Sequence, residues 1–348
     1  MTCVAIGILL ATLLSGCGGA GSDGEGNSVV TLAGSRESGL VDGPGATARF
    51  HNPVNVAVDS TGTIFVADFD NDRVRKVSVD GTVSTLVNQA NFSRPFGLAI
   101  GPDSTLYIQT DANDAGERNS TTGTVWKVVR TGGTAVANVV ARNLGRPRGL
   151  ALLSDGDLAL SDPAHHTVSR LDVSTGTVTL IAGGLDAPGF TNGTGASARF
   201  NRPYGLTQLA DGSLLVADQN NHSIRRLTLT GAVSTVSGNE TAGSNDGVAS
   251  AATFNSPQDV KQASDGVIYV ADTGGHKIRT ISQGSTSSIV TTFAGTGVRG
   301  FADGPRLTAQ FWGLEGIAIG LSGKIIVADG TGGDDDDPAY NRVRIIHD

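Results

Sequence analysis

Leu214-Leu215-Val216-Ala217-Asp218, followed by Asn221-His222-Ser223-Ile224-Arg225, is one copy of a phrase that this chain repeats. An apolar run ends in Ala-Asp, a short polar turn follows, and a second alternating run carries Arg. Ile64 to Asp68 leads in the same way into Asn71 to Arg75. Ile268 to Asp272 leads into Gly275 to Arg279. Ile325 to Asp329 leads, after an insertion, into Asn341 to Arg344. Weaker copies run from Leu106 to Lys127 and from Leu158 to Arg170. Units of this kind cannot bury their apolar faces alone and must stack on their neighbours, so the repetition decides the fold.

An anchor precedes each copy: Phe50 to Pro53, Phe92 to Pro95, Phe200 to Pro203 and Phe254 to Pro257, with Leu144 to Pro147 and Phe311 to Leu314 as variants. Successive anchors lie 42 to 57 residues apart, which makes six units. Within one unit, strands are expected at Asn201 to Gln208, Leu214 to Ala217, Ser223 to Leu229 and Val233 to Val236. The turns between them, at Asp211-Gly212, Asn220-Asn221 and Thr230-Gly231, include hairpin signals. Four antiparallel strands per repeat is the cue for a propeller blade. The last unit ends after its third strand, and Val29 to Gly34 matches the fourth strands Val178 to Gly183 and Val290 to Gly295. The expected fold is therefore all-β, a six-bladed β-propeller whose last blade is closed by the N-terminal strand. Such closure removes exposed sheet edges.

The strand, Ala-Asp, Asn-His, Ile-Arg phrase with its Gly-ending fourth strand resembles the NHL-repeat family across residues 29–348. WD40 repeats fit less well, because their Gly-His and Trp-Asp pairs are missing and Trp126 and Trp312 sit elsewhere. The resemblance implies the propeller and leaves function open, since members include enzymes, RNA binders, interaction modules and sensors. Among NHL relatives, an amidating lyase uses zinc-bound His with catalytic Tyr and Arg at the channel. Related propeller lactonases hold a channel calcium with Glu, Asn and Asp.

The chain has 348 residues, 49 of them Gly and 17% charged, which suits a turn-rich all-β protein. A net charge of −8, with arginine distributed over the repeats, argues against nucleic acid as a partner. Residues 1–16 read as a signal peptide: Val4 to Leu14 is an apolar run too short to span a bilayer. Leu14 to Cys17 resembles a bacterial lipobox, although no Lys or Arg precedes the apolar run. Cys17 is then the lipidated residue, residues 17–28 a flexible tether without large apolar side chains from Gly18 to Asn27, and residues 29–348 the propeller. The expected address is the bacterial envelope, lipid-anchored and in the outer membrane of a Gram-negative host, or else secreted. The chain has 2 Cys, Cys3 inside the signal and Cys17, which leaves no thiol for a disulfide or a metal site.

Loop lengths divide the propeller into two faces. First-to-second and third-to-fourth turns are short. The other face carries the long blade connections and both insertions, Asp111 to Thr124 and Gly330 to Tyr340, and elaborated loops are where function concentrates. In the connections, Asp/Asn-Gly reads as a turn, the following Ala as blade packing, and Phe as a plug between blades. Asp68, Asp162, Asp218, Asp272 and Asp329 read as acceptors of N–H groups in the turn that follows them. His166, His222 and His276 fill one repeated slot and read as structural; His51 and His165 fall outside it. Two candidate metal sites remain. Asn55, Asp259 and Glu315 lie near the start of first strands, with Glu315 offset by one residue from the other two. Asp334, Asp335, Asp336 and Asp337 form an acidic run whose oxygens suit calcium. No cofactor is required by this reading, and calcium is the candidate if one binds. The function expected is a monomeric, non-catalytic envelope propeller that presents its elaborated face to a protein or glycan. The alternative is a metal-dependent hydrolase or lyase, lactonase-like or amidating-lyase-like, working at the channel.

Overall fold

A computed structural model describes residues 26–131, 134–283, 287–330 and 340–348. These residues form six antiparallel sheets arranged as blades. Blade 1 comprises Pro53–Val58, Ile64–Asp68, Arg73–Val77 and Val83–Val87, and blades 2 to 5 repeat this order. Blade 6 consists of Leu314–Ile319, Ile325–Asp329 and Asn341–Ile346, with Ser28–Ser35 as its outer strand. Val29 pairs with Ile346 and Ser35 with Asn341, so the N-terminal strand closes the ring as expected. The connections add an element that the four-strand reading lacks. Gly193–Thr194, Gly247–Val248 and Gly304–Pro305 each pair with the outer strand of a blade as a short fifth strand. Cys17 and Asp334 to Asp337 lie outside the described residues.

The apolar plugs behave as their repetition implies. Phe50, Phe200, Phe254 and Phe311 are fully buried, as are Ala48, Ala198, Ala252 and Ala309. Each Phe sits in a cluster that joins two blades, as Phe311 does with Ala271, Ile278 and Leu314. Fully burying such a side chain contributes about 1.5–3 kcal/mol.

The repeated aspartates do something different from the expectation. Asp68, Asp218, Asp272 and Asp329 each form a fully buried ion pair, with Arg75, Arg225, Arg279 and Arg344, at 2.8, 2.7, 3.1 and 2.9 Å. Their second oxygens accept N–H groups of the preceding anchor, those of His51, Asn201, Asn255 and Trp312. Among the described residues only Asp162 takes backbone N–H groups of its own turn, from Ala164 and His165, while Asp68 and Asp218 take the side-chain Nδ2 groups of Asn71 and Asn221 there. Each arginine also lies over the anchor Phe, for example at 5.2 Å for Arg75 over Phe50. It reaches the Asp/Asn of the connection as well, as Arg225 does with Asn192 at 2.7 Å. One guanidinium thus ties strand, anchor and connection together in each of these four blades.

A second device joins neighbouring blades. His166 and His222 accept, on Nδ1, the N–H groups of Arg202 and Ser256 in the next blade, at 3.1 and 3.0 Å. Asp72 and Asn341 do the same with side-chain oxygens for Arg94 and Asn52. The repeated His slot is structural, as the sequence reading has it.

Candidate functional site

First strands line the channel. In blades 1, 2, 4 and 6 they carry an irregularity just after the anchor: between Pro53 and Asn55, Pro95 and Leu98, Pro203 and Leu206, and Leu314 and Ile317. A bulge re-aims side chains and commonly borders functional sites. The residue following the anchor Pro, or Leu314 in blade 6, is here Val54, Phe96, Arg148, Tyr204, Gln258 and Glu315. Side chains in this slot meet across the axis at the elaborated end. The rings of Phe96 (blade 2) and Tyr204 (blade 4) stand edge to face at 5.6 Å. The Arg148 guanidinium (blade 3) lies 4.3 Å from the Phe96 ring and 5.7 Å from Phe69 of blade 1.

Arg148 is held rigidly. It donates to both oxygens of the fully buried Asp111, at 2.6 and 3.3 Å. Arg146 donates to the same carboxylate at 2.7 Å. Burial pushes Asp111 up, yet the two arginines outweigh it and hold the carboxyl below its usual range. Burial also pulls Arg148 down, while Tyr204, Asp111 and Glu315 together more than offset this. Arg94 stacks on Phe69 at 5.0 Å and faces Asp70 at 3.5 Å. The exposed Arg202 donates to Gln219.

Glu315 is 7% exposed and makes no hydrogen bond among the described residues. Burial pushes its carboxyl up to about 7, against the pull of Arg148 and with a further push from Asp70. In the adjacent blade the Gln258 Oε1 is buried without a partner. Burial likewise pushes the Tyr204 phenol up.

The other two members of the sequence trio lie one slot further along. Asn55 Oδ1 accepts the N–H of Val56. Asp259 spends both oxygens: Oδ1 on Lys261 Nζ and Val260 N–H, and Oδ2 on the N–H of Ile317 in blade 6. A Cβ at Gly205 would lie 2.2 Å from Asp259 Oδ1, so Asp259 fills the space this glycine leaves. Glu315 therefore shares its slot with Arg148 and Tyr204, not with Asn55 and Asp259. Among the described residues no three His, Cys, Asp or Glu side chains gather as a metal site. Toward the trimmed face the channel is a cavity of about 350 Å³, to which all six first strands contribute, with aliphatic lining such as Leu98, Ile100, Leu152 and Ile319.

The sequence singled out Glu315 but not Phe96, Arg148 or Tyr204, which read there as ordinary residues entering a first strand. One signal was available: the slot after the anchor Pro (Leu314 in blade 6) holds six different residues, while the flanking positions repeat.

Among known families, the NHL repeat matches residues 254–281. The chain is 31% identical over 174 residues to the chloroplastic protein SUPPRESSOR OF QUENCHING 1 of Arabidopsis thaliana, covering 47% of the chain and 16% of that relative. It is also 31% identical over 179 residues to NHL repeat-containing protein 2 of Bos taurus, covering 47% of the chain and 24% of that relative. The chain thus spans a quarter or less of the length of these relatives. Among solved structures, a structural genomics protein from Bacteroides thetaiotaomicron aligns with a TM-score of 0.73 at 24% identity, covering 92% of this chain and 75% of that one. An auxiliary nutrient binding protein from the same species aligns at 0.70 and 19%, covering 92% and 76%. A gluconolactonase of Xanthomonas campestris aligns at 0.59 and 13%, covering 92% and 90%. At these identities the structural likeness speaks to the fold alone.

Proposed function

We propose that this NHL-repeat β-propeller is a non-catalytic binding module of the bacterial envelope, tethered through lipid on Cys17 and engaging a protein or glycan with its elaborated face. The observation that carries the reading is the convergence at that face of Phe96, Arg148, Tyr204 and Glu315 from four blades, framed by the long connections. The site is positioned for contact: Arg148 is braced by Asp111, and Arg146 and Arg202 stand at the rim. The nutrient-binding neighbour gives the reading a precedent in the same architecture. Among the described residues no helix is long and apolar enough to cross a membrane.

The test maps binding to a face. Envelope proteins and a glycan array are offered to the propeller, to Arg146→Glu on the elaborated face, and to Arg226→Glu on the trimmed face. Loss with Arg146→Glu alone supports the proposal. Loss with Arg226→Glu alone overturns it.

A further inference from the structure

The elaborated mouth is chemically two-sided. On one arc stand four arginines. Arg94, Arg146 and Arg202 occupy the same position in three consecutive anchors, Ser93-Arg94-Pro95, Gly145-Arg146-Pro147 and Asn201-Arg202-Pro203, and Arg148 projects inward beside them. The corresponding positions of blades 5, 6 and 1 are Ser256, Gly313 and Asn52. The arginines thus bunch on one side of the ring in a chain whose net charge is −8. Their carboxylate partners are Asp70 and Asp111, which leaves the arc cationic. Backbone at Arg94 and Arg202 is left-handed, with φ of 53° and 58°. Holding a residue other than Gly there costs roughly 1–2 kcal/mol, so the scaffold imposes these positions against local preference.

The opposite arc carries unmet acceptors, beside the buried and unpartnered Trp312 Nε1 donor of the blade 6 anchor. Gln258 Oε1 is buried with no partner, and the Glu315 carboxyl makes no hydrogen bond among the described residues. A buried acceptor such as Gln258 Oε1 costs about 1–3 kcal/mol unless something donates to it. The arginine side offers the opposite surplus: the Nε–H of Arg146 is buried and unpartnered.

Guanidinium groups recognise a carboxylate in bidentate fashion. Unmet acceptors recognise hydroxyl donors. A molecule that brings one carboxylate and several hydroxyls, within a few ångströms of each other, is a sugar acid. We infer that the channel mouth binds a uronic acid, free or as the terminal residue of a saccharide, with the carboxylate on the Arg146, Arg148 and Arg202 arc and the hydroxyls toward Gln258 and Glu315. This inference rests on the proposed binding role and names its ligand class. Tyr204, half-buried between the arcs, supplies an edge for the sugar ring.

Calorimetric titration of the full chain with galacturonate, digalacturonate, galactose and acetate tests this. Binding of the uronates, with galactose and acetate each at least about tenfold weaker, is expected. Arg202→Asn should weaken uronate binding about tenfold while leaving the thermal midpoint in place, since Asn tolerates the left-handed backbone at position 202; Arg146→Ala should weaken it about as much, with a lower midpoint because it also takes one partner from the buried Asp111. Acetate binding as tightly as galacturonate shows a bare anion site and overturns the inference. So does single-stranded RNA displacing digalacturonate at lower concentration. Neutral oligosaccharides binding at this face without the uronates overturns the inference and leaves the binding role standing. Uronate affinity unchanged in both arginine variants also overturns it.

Discussion

Replacing Asp218 by Ala removes the centre of one buried network, and its cost follows from the bonds lost. Asp218 and Arg225 are both fully buried and paired at 2.7 Å. Asp218 also accepts the N–H of Asn201 at 2.7 Å and Asn221 Nδ2 at 2.8 Å. Breaking such a pair leaves a buried charge and costs about 3–5 kcal/mol. Arg225 keeps its bonds to Asn192 Oδ1 and the Arg199 carbonyl, which favours the lower half of that range. The orphaned Asn201 N–H adds about 1–3 kcal/mol. A loss of about 4–7 kcal/mol is expected. Replacing both partners, Asp218→Leu with Arg225→Met, should cost far less, within about 2 kcal/mol of the parent, because an apolar pair carries no desolvation penalty. Burial pushes Asp218 up to about 6 against the pull of Arg225, Asn221 and the Asn201 N–H, the direction expected where desolvation outweighs the attraction. Urea denaturation followed by tryptophan fluorescence reads both variants. Trp126 in blade 2 and Trp312 in the anchor of blade 6 report on separate parts of the ring, and coincident transitions justify a single unfolding free energy. A single-variant loss below about 1 kcal/mol, or a double variant as damaged as the single, refutes the reasoning.

Other consequences are as direct. Deleting Ser28–Ser35 strips the outer strand from blade 6 and exposes the edge of Asn341–Ile346, so the thermal midpoint should fall by well over about 5 °C; a shift within about a degree contradicts the closing role. Cys17→Ser should move the protein from the detergent-extracted membrane fraction to the soluble one and end incorporation of labelled fatty acid; retention in membranes contradicts lipid anchoring. His222 accepts the Ser256 N–H on Nδ1, and burial pushes the imidazole down from its ordinary 6.5. Over that window the unfolded chain binds more protons, so this contribution is complete above pH 6.5 and lost as pH falls toward the lower folded value. His222→Asn, which keeps an acceptor in a slot where Asn341 already serves, should lose less stability than the parent between pH 7.5 and 5.5 in the same urea assay. Equal losses contradict the latch.

The fold could be read because every copy of the repeat poses the same packing problem and answers it with the same residues. Phe254 and Ala252 in one blade announce Phe311 and Ala309 in the next, and the missing fourth strand after Ile346 asks for Val29 to Gly34. The Asp-Arg pairs were half legible. Asp218 and Arg225 stand seven residues apart, as do Asp68 and Arg75, but strand pairing is what folds Val216 against Arg225 and turns the guanidinium back onto the carboxylate. A reading confined to the local turn missed Arg225 and the Asn201 N–H, and the one donor from that turn is the Asn221 side chain, not its backbone. Glu315 shows a third limit. Alternation along a strand has a period of two, and the bulge between Leu314 and Ile317 breaks that period where the site begins. Counting from the anchor grouped Glu315 with Asn55 and Asp259, while the backbone delivers it to Arg148 and Tyr204. The contacts that make the mouth cross the axis of the ring, so no linear spacing encodes them; only closure brings Phe96 to Tyr204. In a repeat protein the invariant positions build the scaffold, and a slot facing a common axis that holds Val54, Phe96, Arg148, Tyr204, Gln258 and Glu315 is released from that duty. Its variety, set against the sameness of Phe and Ala beside it, is the mark by which a binding site in such a ring can be sought from sequence.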